Sequence, residues 1–302
     1  MNLGYCCINT ELSKKKITTN RSCIKKTYKN KGIEYVSELA LKNISDLPTI
    51  IEWNHKNNIK LFRLSSEIFP WLSDYNIEEL PDYEAIKEKL EYCGKLAQKY
   101  NQRLTLHPSH FNVLCSLKQS VVDNTIHELN FHGKMFDLMN LEQTPYNKIN
   151  IHIGSTQGGK PRCLDKFKEN FQLLSPSVQK RLTIENDDKP NSYSVDDLLP
   201  LAKSLNIPIV YDIHHQRFCK GKLSDLDALK AAVSTWNDNI IPVVHLSESQ
   251  EGRKLNAHSD YITKYNDYHG YDTSKLMIQI EAKMKEKALL HYRDNVIVQY
   301  GI

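Results

Sequence analysis

The sequence predicts a single α/β domain over residues 1–302, a (β/α)8 TIM barrel with a metal cluster at the C-terminal mouth of its strands. Three observations carry that expectation. Eight short apolar runs rich in Ile, Val and Leu recur along the chain. Longer segments with helical periodicity separate them, and buried strands that alternate with helices build a parallel sheet under a helical cover. The second to eighth runs close on polar residues, at the end where barrels of this kind gather functional groups. A doubly wound open sheet has the same alternation but would not set polar groups after every strand.

The runs in order are NLGYCC (2–7), KLFRLSS (60–66), RLTLHP (103–108), KINIHIG (148–154), RLTIEND (181–187), IPIVYDIHH (207–215), IIPVVHLS (240–247) and LMIQIEAK (276–283). After the first run there is room for a helix over 33–58 and for a basic excursion at about 10–32. Long loops inside compact domains are commonly functional. The segment 83–100 carries Ile86, Leu90, Cys93, Leu96 and Ala97 at spacings of three and four, which predicts a helix. Segments 120–140 and 224–236 behave likewise. No Gly/Ser- or Pro-rich linker divides the chain.

Hydrophobic content of 40% and charged content of 25% are ordinary for a soluble globular protein. There is no apolar run of membrane-spanning length and no basic-then-apolar leader pattern in MNLGYCCINTEL. Seven cysteines, an odd number with no CxxC pair, suit free thiols in an intracellular reducing compartment, cytoplasm or nucleus. No obligate protein partner is evident. Net charge is +4 but uneven: Lys14, Lys15, Lys16, Arg21, Lys25, Lys26, Lys29 and Lys31 fall in one stretch without an acid. A basic stretch on an otherwise acidic chain is a candidate phosphate-backbone contact; the bland alternative is a solvated lysine-rich loop.

The ends of the runs hold the chemistry. The second closes on Glu67, the third on His107 and the fourth on His152. The fifth reaches Glu185, followed by Asn186, Asp187 and Asp188. The sixth reaches Asp212, with His215 three residues on, and His214, its strand neighbour, is expected to face away. The seventh closes on His245, with His258 in the loop beyond, and the eighth on Glu281. Carboxylates and imidazoles are costly to bury singly, but together they suit divalent metals. Each alone reads more simply as a hydrogen-bonded polar residue; the repetition points to a multinuclear site. His55, His127, His132, His269 and His291 read as packing or surface residues. No Walker loop, no GxGxxG after a strand and no GxSxG elbow is present. GSTQGGK (154–160) reads as the loop after the fourth strand, with backbone N–H groups suited to a phosphate.

In order, LGYCCIN, TTNRS, LFRLSSEIFPW, LTLHPSHF, INIHIGSTQGGK, LTIENDD, YDIHHQ, VVHLSES, AHSDYI and IEAKMKEKALL resemble the successive motifs of the UV damage endonuclease (UvdE) family, from residue 3 to about residue 290. The resemblance implies a DNA repair endonuclease related in architecture to endonuclease IV. It implies nicking immediately 5′ to UV photoproducts, including pyrimidine dimers and 6-4 photoproducts, and to abasic sites. It implies a 3′-hydroxyl product, damaged double-stranded DNA as partner, and two or three divalent ions, manganese above all.

By motif, the family's ligands fall on His107, His152, Glu185, Asp212, His215, His245, His258 and Glu281, with Glu67 a further candidate. His107, His152 and Glu185 are expected to hold one metal. Glu185 is expected to bridge to a second with Asp212, His245 and Glu281, and His215 and His258 to hold a third. Glu185, Glu281, His107 and Asp212 are the expected catalytic residues. Tyr5, His110 and Phe111 are the expected lesion-probing residues, and Asn9, Asn20, Arg21, Lys14, Lys15 and Lys16 further DNA contacts. Three positions depart from family patterns: Glu67 stands where some members have histidine, His110 where a probing glutamine is found, and Val243 where some members have a modified lysine. A metal-dependent sugar isomerase or epimerase, an endonuclease IV-like abasic-site nuclease and a non-cutting damage sensor are the competing readings.

Overall fold

Eight parallel strands close into a barrel in sequence order, β1 pairing with both β2 and β8. The computed structural model describes residues 1–301. The strands are β1 Asn2–Cys6, β2 Leu61–Leu64, β3 Arg103–Leu106, β4 Ile149–Ile151, β5 Leu182–Glu185, β6 Ile209–Asp212, β7 Val243–Leu246 and β8 Met277–Ile280. Each is the apolar heart of a run expected from the sequence. The polar run ends lie at the last strand residues or in the loops just beyond.

The helices are α1 Thr10–Ser13, α2 Lys25–Lys56, α3 Tyr83–Lys99, α4 Gln119–Leu138, α5 Lys160–Phe171, α6 Pro176–Gln179, α7 Val195–Leu205, α8 Ile213–Gln216, α9 Asp225–Val233 and α10 Lys285–His291. α2 starts well before the expected residue 33, taking in Lys25 to Lys31 from the basic excursion. It breaks at Gly32, whose φ of 73° only glycine adopts without strain. Lys25 over the Trp71 ring (5.9 Å) and Lys31 over Tyr35 (4.1 Å) pin the early turns by cation–π contacts. The rest of the excursion holds the single turn α1. No helix is long and apolar enough to cross a membrane, and all seven cysteines are free.

Alternation along each strand sorts the residues into two layers. Phe62, Leu64, Leu104, Leu106, Ile184, Ile209 and Ile278 join the core beneath the helices. Leu61, Val210, Val243 and Met277 meet Trp236 in a separate small cluster at the barrel floor. Above that floor the inside is polar. Arg103 is buried with its guanidinium over Tyr146 and Trp236, and its Nη1 donates to the Ile241 carbonyl at 2.6 Å. Lys148 is fully buried, and its Nζ has no hydrogen-bond partner. Thr183 donates to Asn150 Oδ1 at 2.7 Å. The charged residues at the mouth stand on this polar tier.

Candidate metal centre

Glu185, the last residue of β5, is the hub of the mouth. Its carboxylate is 1% exposed. Oε2 accepts from Asn150 Nδ2 and lies 3.3 Å from His107 Nε2. Oε1 lies 3.1 Å from His245 Nδ1, 3.3 Å from His215 Nδ1 and 4.0 Å from His152 Nε2. Ligand atoms of His107, His152 and Glu185 fall within 4.8 Å of one another, and so do those of Glu185, Asp212 and His245. Glu185 is common to both groups. Glu281 joins at the edge, its Oε1 3.2 Å from His245 Nδ1.

Three histidines have an oxygen close to Nδ1. His107 Nδ1 is 3.0 Å from the Pro108 carbonyl, His215 Nδ1 is 2.8 Å from the Asn186 carbonyl, and His152 Nδ1 is 3.1 Å from Asp187 Oδ1. His215 Nδ1 also faces Glu185 Oε1, but at His107 the oxygen behind Nδ1 places the proton there and leaves the Nε2 lone pair to face the cluster. This is the usual way a protein presents imidazole to a metal. His245 is turned the other way, with Nδ1 toward the carboxylates and Gln279 Nε2 3.1 Å from its Nε2.

Asp212 tests whether a cation fits. Its Oδ1 accepts from the backbone N–H groups of His214 (2.7 Å) and His215 (2.9 Å) at the start of α8. Its Oδ2 is buried with no hydrogen-bond partner, 3.8 Å from His215 Nε2 and 3.9 Å from His245 Nδ1. A buried oxygen anion without a donor is costly. A divalent ion among these N and O donors satisfies it, so the residues fit the group.

The same contacts set the charges. Burial works against ionised Glu185, but His245, His152 and His107 hold its pKa well below the usual carboxylate range. Burial likewise opposes ionised Glu281, and Arg63 and His245 pull its pKa down. Burial pushes His107 down to about 4. Burial would lower His152 too, but the Glu185 and Asp187 carboxylates hold it up at about 9. His215 is raised, with Asp212 and Glu185 outweighing its burial.

His258 stands at the rim, its side chain 30% exposed and Nδ1 4.0 Å from Glu281 Oε2. Its ring centroid is 6.4 Å from that of His215. Glu67 is exposed in the turn after β2 and enters neither ligand group. The inward residue of β2 is instead Arg63, which donates to Glu281 Oε1 and which the sequence reading overlooked. Alternation from Leu61 was the available signal. His214 lies in the helical turn α8, not on the strand expected for it. It is buried with both ring nitrogens unpartnered, its centroid 5.7 Å from His258.

The expected DNA contacts divide. Tyr5 and Asn9 are fully buried, against expectation. Strand alternation turns Tyr5 into the layer between barrel and α2, where Oη donates to Asn54 Oδ1 (2.7 Å) and accepts from Asn9 Nδ2 (3.1 Å). Asn9 also caps α1 through Leu12 N at 2.9 Å. Neither reaches a duplex in this packing. Arg21 is committed as well: its guanidinium donates to the Thr18 carbonyl (2.6 Å), the Lys16 carbonyl (2.5 Å) and Asp46 (2.6 Å), tying the loop to α2. Asn20 is half-buried and accepts from Thr18 Oγ1. Lys14, Lys15 and Lys16 are exposed and free of ion pairs among the described residues. His110 and Phe111 are exposed after β3, Phe111 by 73%, with ring centroids 4.1 Å apart. In the 154–160 loop, Gly154, Gly158 and Gly159 all have positive φ ahead of α5.

The family model for UV-endonuclease UvdE matches residues 1–300. A UV-damage endonuclease of Schizosaccharomyces pombe is 38% identical over 303 residues, covering 95% of this chain and 49% of that protein. The chain thus spans about half the length of that relative. A putative UV-damage endonuclease of Acanthamoeba polyphaga mimivirus is 35% identical, covering 95% of this chain and 89% of its own length. The crystal structure of SacUVDE superposes with a TM-score of 0.84 at 29% identity, covering 98% of this chain and all of that one. Endonuclease IV from Thermus thermophilus, with a TM-score of 0.53 and 13% identity over 93% of this chain and 92% of that one, shares the fold. The chain belongs to the UV-endonuclease UvdE family.

Proposed function

We propose that this chain is a divalent-metal-dependent DNA repair endonuclease. It nicks the strand immediately 5′ to pyrimidine dimers, 6-4 photoproducts and abasic sites, and leaves a 3′-hydroxyl. The observation that carries the reading is the hub at Glu185: one ionised, buried carboxylate touching His107, His215 and His245, beside an Asp212 oxygen with no partner.

His107, His152 and Glu185 would hold one ion; Glu185, Asp212, His245 and Glu281 a second; His215 and His258 a third. Manganese suits this mixed imidazole and carboxylate set. Bound divalent ions supply Lewis acidity and neutralise charge on the phosphate. The protein groups do the rest. Asn150, on Glu185, and the Pro108 carbonyl, on His107, keep donor atoms aimed at the cluster. Glu281 Oε2, the oxygen that Arg63 leaves free, is the acceptor for a proton from the attacking water. Lesions pair and stack poorly, which lowers the cost of opening the duplex. Phe111 and His110, exposed after β3, would fill the gap by stacking. Lys14, Lys15 and Lys16 would hold phosphates without reading sequence.

The test is an end-labelled duplex with one pyrimidine dimer. The expected product is a single fragment ending 5′ to the dimer that a DNA polymerase extends, with the undamaged duplex intact. Equal cutting of both duplexes, or an inextensible end, would count against the reading. Ketose–aldose conversion without nicking would favour a sugar isomerase.

A further inference from the structure

At the C-terminal end of the barrel strands lies a cavity of about 280 Å3 between the segments that follow β6 and β7. Arg217, Ser247, Glu248, Lys264, Tyr265 and Asn266 line it. Nothing in the proposed chemistry uses these residues.

Their bonding is incomplete in one direction. Ser247, two residues past His245, is fully buried, and its Oγ has no hydrogen-bond partner. A buried hydroxyl without a protein partner is met by solvent or by a ligand. Arg217 and Lys264 are exposed, and neither makes an ion pair among the described residues. The one lining carboxylate is already engaged. Glu248 Oε1 accepts from the backbone N–H groups of Thr263 (3.0 Å) and Lys264 (2.8 Å), and Oε2 from Thr263 Oγ1 (3.0 Å). The cavity therefore offers two unpaired cations against one occupied anion, with an unpartnered hydroxyl buried in its wall. That is the chemistry of an oxyanion site.

We propose that this cavity binds a phosphate group, and that in the working enzyme it is a backbone phosphate of the DNA flanking the scissile one. The inference rests on DNA being the substrate. It adds a contact on the β6–β7 side of the mouth, whereas Lys14, Lys15 and Lys16 follow β1. Two contacts around the barrel rim would fix the register of the duplex over the cluster. Phosphate contacts of this kind position the substrate and read no sequence.

The experiment measures binding of the whole chain to undamaged and UV-damaged duplexes in EDTA, across a range of salt. Arg217→Gln, Lys264→Gln and the double variant are compared with wild type, with circular dichroism and melting as fold controls. One neutralised phosphate contributes about 0.9 to the slope of log K against log salt. The double variant is expected to lose about one unit of slope and roughly tenfold in affinity on both duplexes alike, and Arg217→Lys is expected to retain the slope. An unchanged slope overturns the proposal. So does an unchanged slope together with inorganic phosphate that raises the melting temperature of wild type but not of the double variant, since the cavity then serves a free anion. Because binding is read without metal, the two readings fail separately. A wild-type enzyme that nicks damaged DNA while the variants keep the slope sinks only the cavity. A slope that falls in a protein that never nicks sinks only the nuclease.

Discussion

Arg63 on β2 donates Nη1 to Oε1 of Glu281, reaching past β1, which lies between β2 and β8 in the barrel. Both side chains are largely buried, at 13% and 11% exposure. Without metal, Arg63 is the cation that compensates Glu281 and leaves its Oε2 toward His258. Removing one partner of a buried ion pair costs roughly 3–5 kcal/mol. Arg63→Met is expected to destabilise the metal-free protein by about 3 kcal/mol, and by clearly less in excess Mn2+, where Glu281 gains another counter-charge. Urea unfolding with and without Mn2+ measures both; equal losses would remove the link between Arg63 and the metal site.

Glu185 touches three imidazoles at 3.1–3.3 Å, whereas the nearest carboxylate oxygen to His258 is at 4.0 Å. Glu185→Ala is expected to abolish nicking and to lower the bound-metal count. His258→Ala is expected to keep measurable activity, reduced about 10- to 100-fold, as for groups that tune rather than anchor a site. Activity and elemental analysis on the same preparations check it. Equal residual activity in the two variants contradicts the hub role.

Metal uptake should be coupled to proton release. His152 is held up at about 9 by Glu185 and Asp187, so it is protonated at neutral pH in the metal-free protein, and ligation requires the neutral ring. Calorimetry near neutral pH in two buffers of different ionisation heat is expected to show about one proton released from this ring as Mn2+ binds. The sign for stability is fixed by the same shift. A raised histidine pKa stabilises the metal-free protein fully below about 6.5, its unfolded value, and the gain is lost as pH rises through about 9. A metal-free stability that climbs over that interval would contradict the assignment.

Phe111 is 73% exposed beside His110, with no packing duty evident at that exposure. Stacking of a base on an aromatic ring is worth about 1–3 kcal/mol. Phe111→Ala is expected to weaken binding to a damaged duplex at least fivefold while leaving undamaged binding and metal content nearly unchanged. His110→Ala should act in the same direction. Gel shifts on paired duplexes measure the ratio, and a ratio unaltered in both variants removes the pair from lesion recognition.

Much of this was legible before the structure. Parallel strands buried on both faces read as apolar runs, and so Leu182–Ile184 and Ile209–Tyr211 announced themselves with Glu185 and Asp212 at their ends. Motif order then supplied residue types for the mouth. What stayed hidden was direction. In so short a strand, apolar residues on both faces do not say which face is inward. Arg63 therefore passed for part of a core strand although it points at Glu281, and Tyr5, expected at the lesion from the family's motifs, points at α2. Loop residues were harder still. Arg21 looks like a phosphate contact by charge, but three local acceptors hold its guanidinium, a matter of tertiary hydrogen bonding that spacing does not encode. His214 was misplaced because Asp212 caps a helical turn where continued strand was expected.

The most direct test incubates the purified chain with supercoiled plasmid, UV-irradiated or untreated, with Mn2+ or with EDTA, and follows conversion to the relaxed form. Relaxation of the irradiated plasmid in Mn2+, with the untreated plasmid and both EDTA samples still supercoiled, is the predicted result. Equal survival of irradiated and untreated plasmid in Mn2+, or nicking that persists in EDTA, would contradict it.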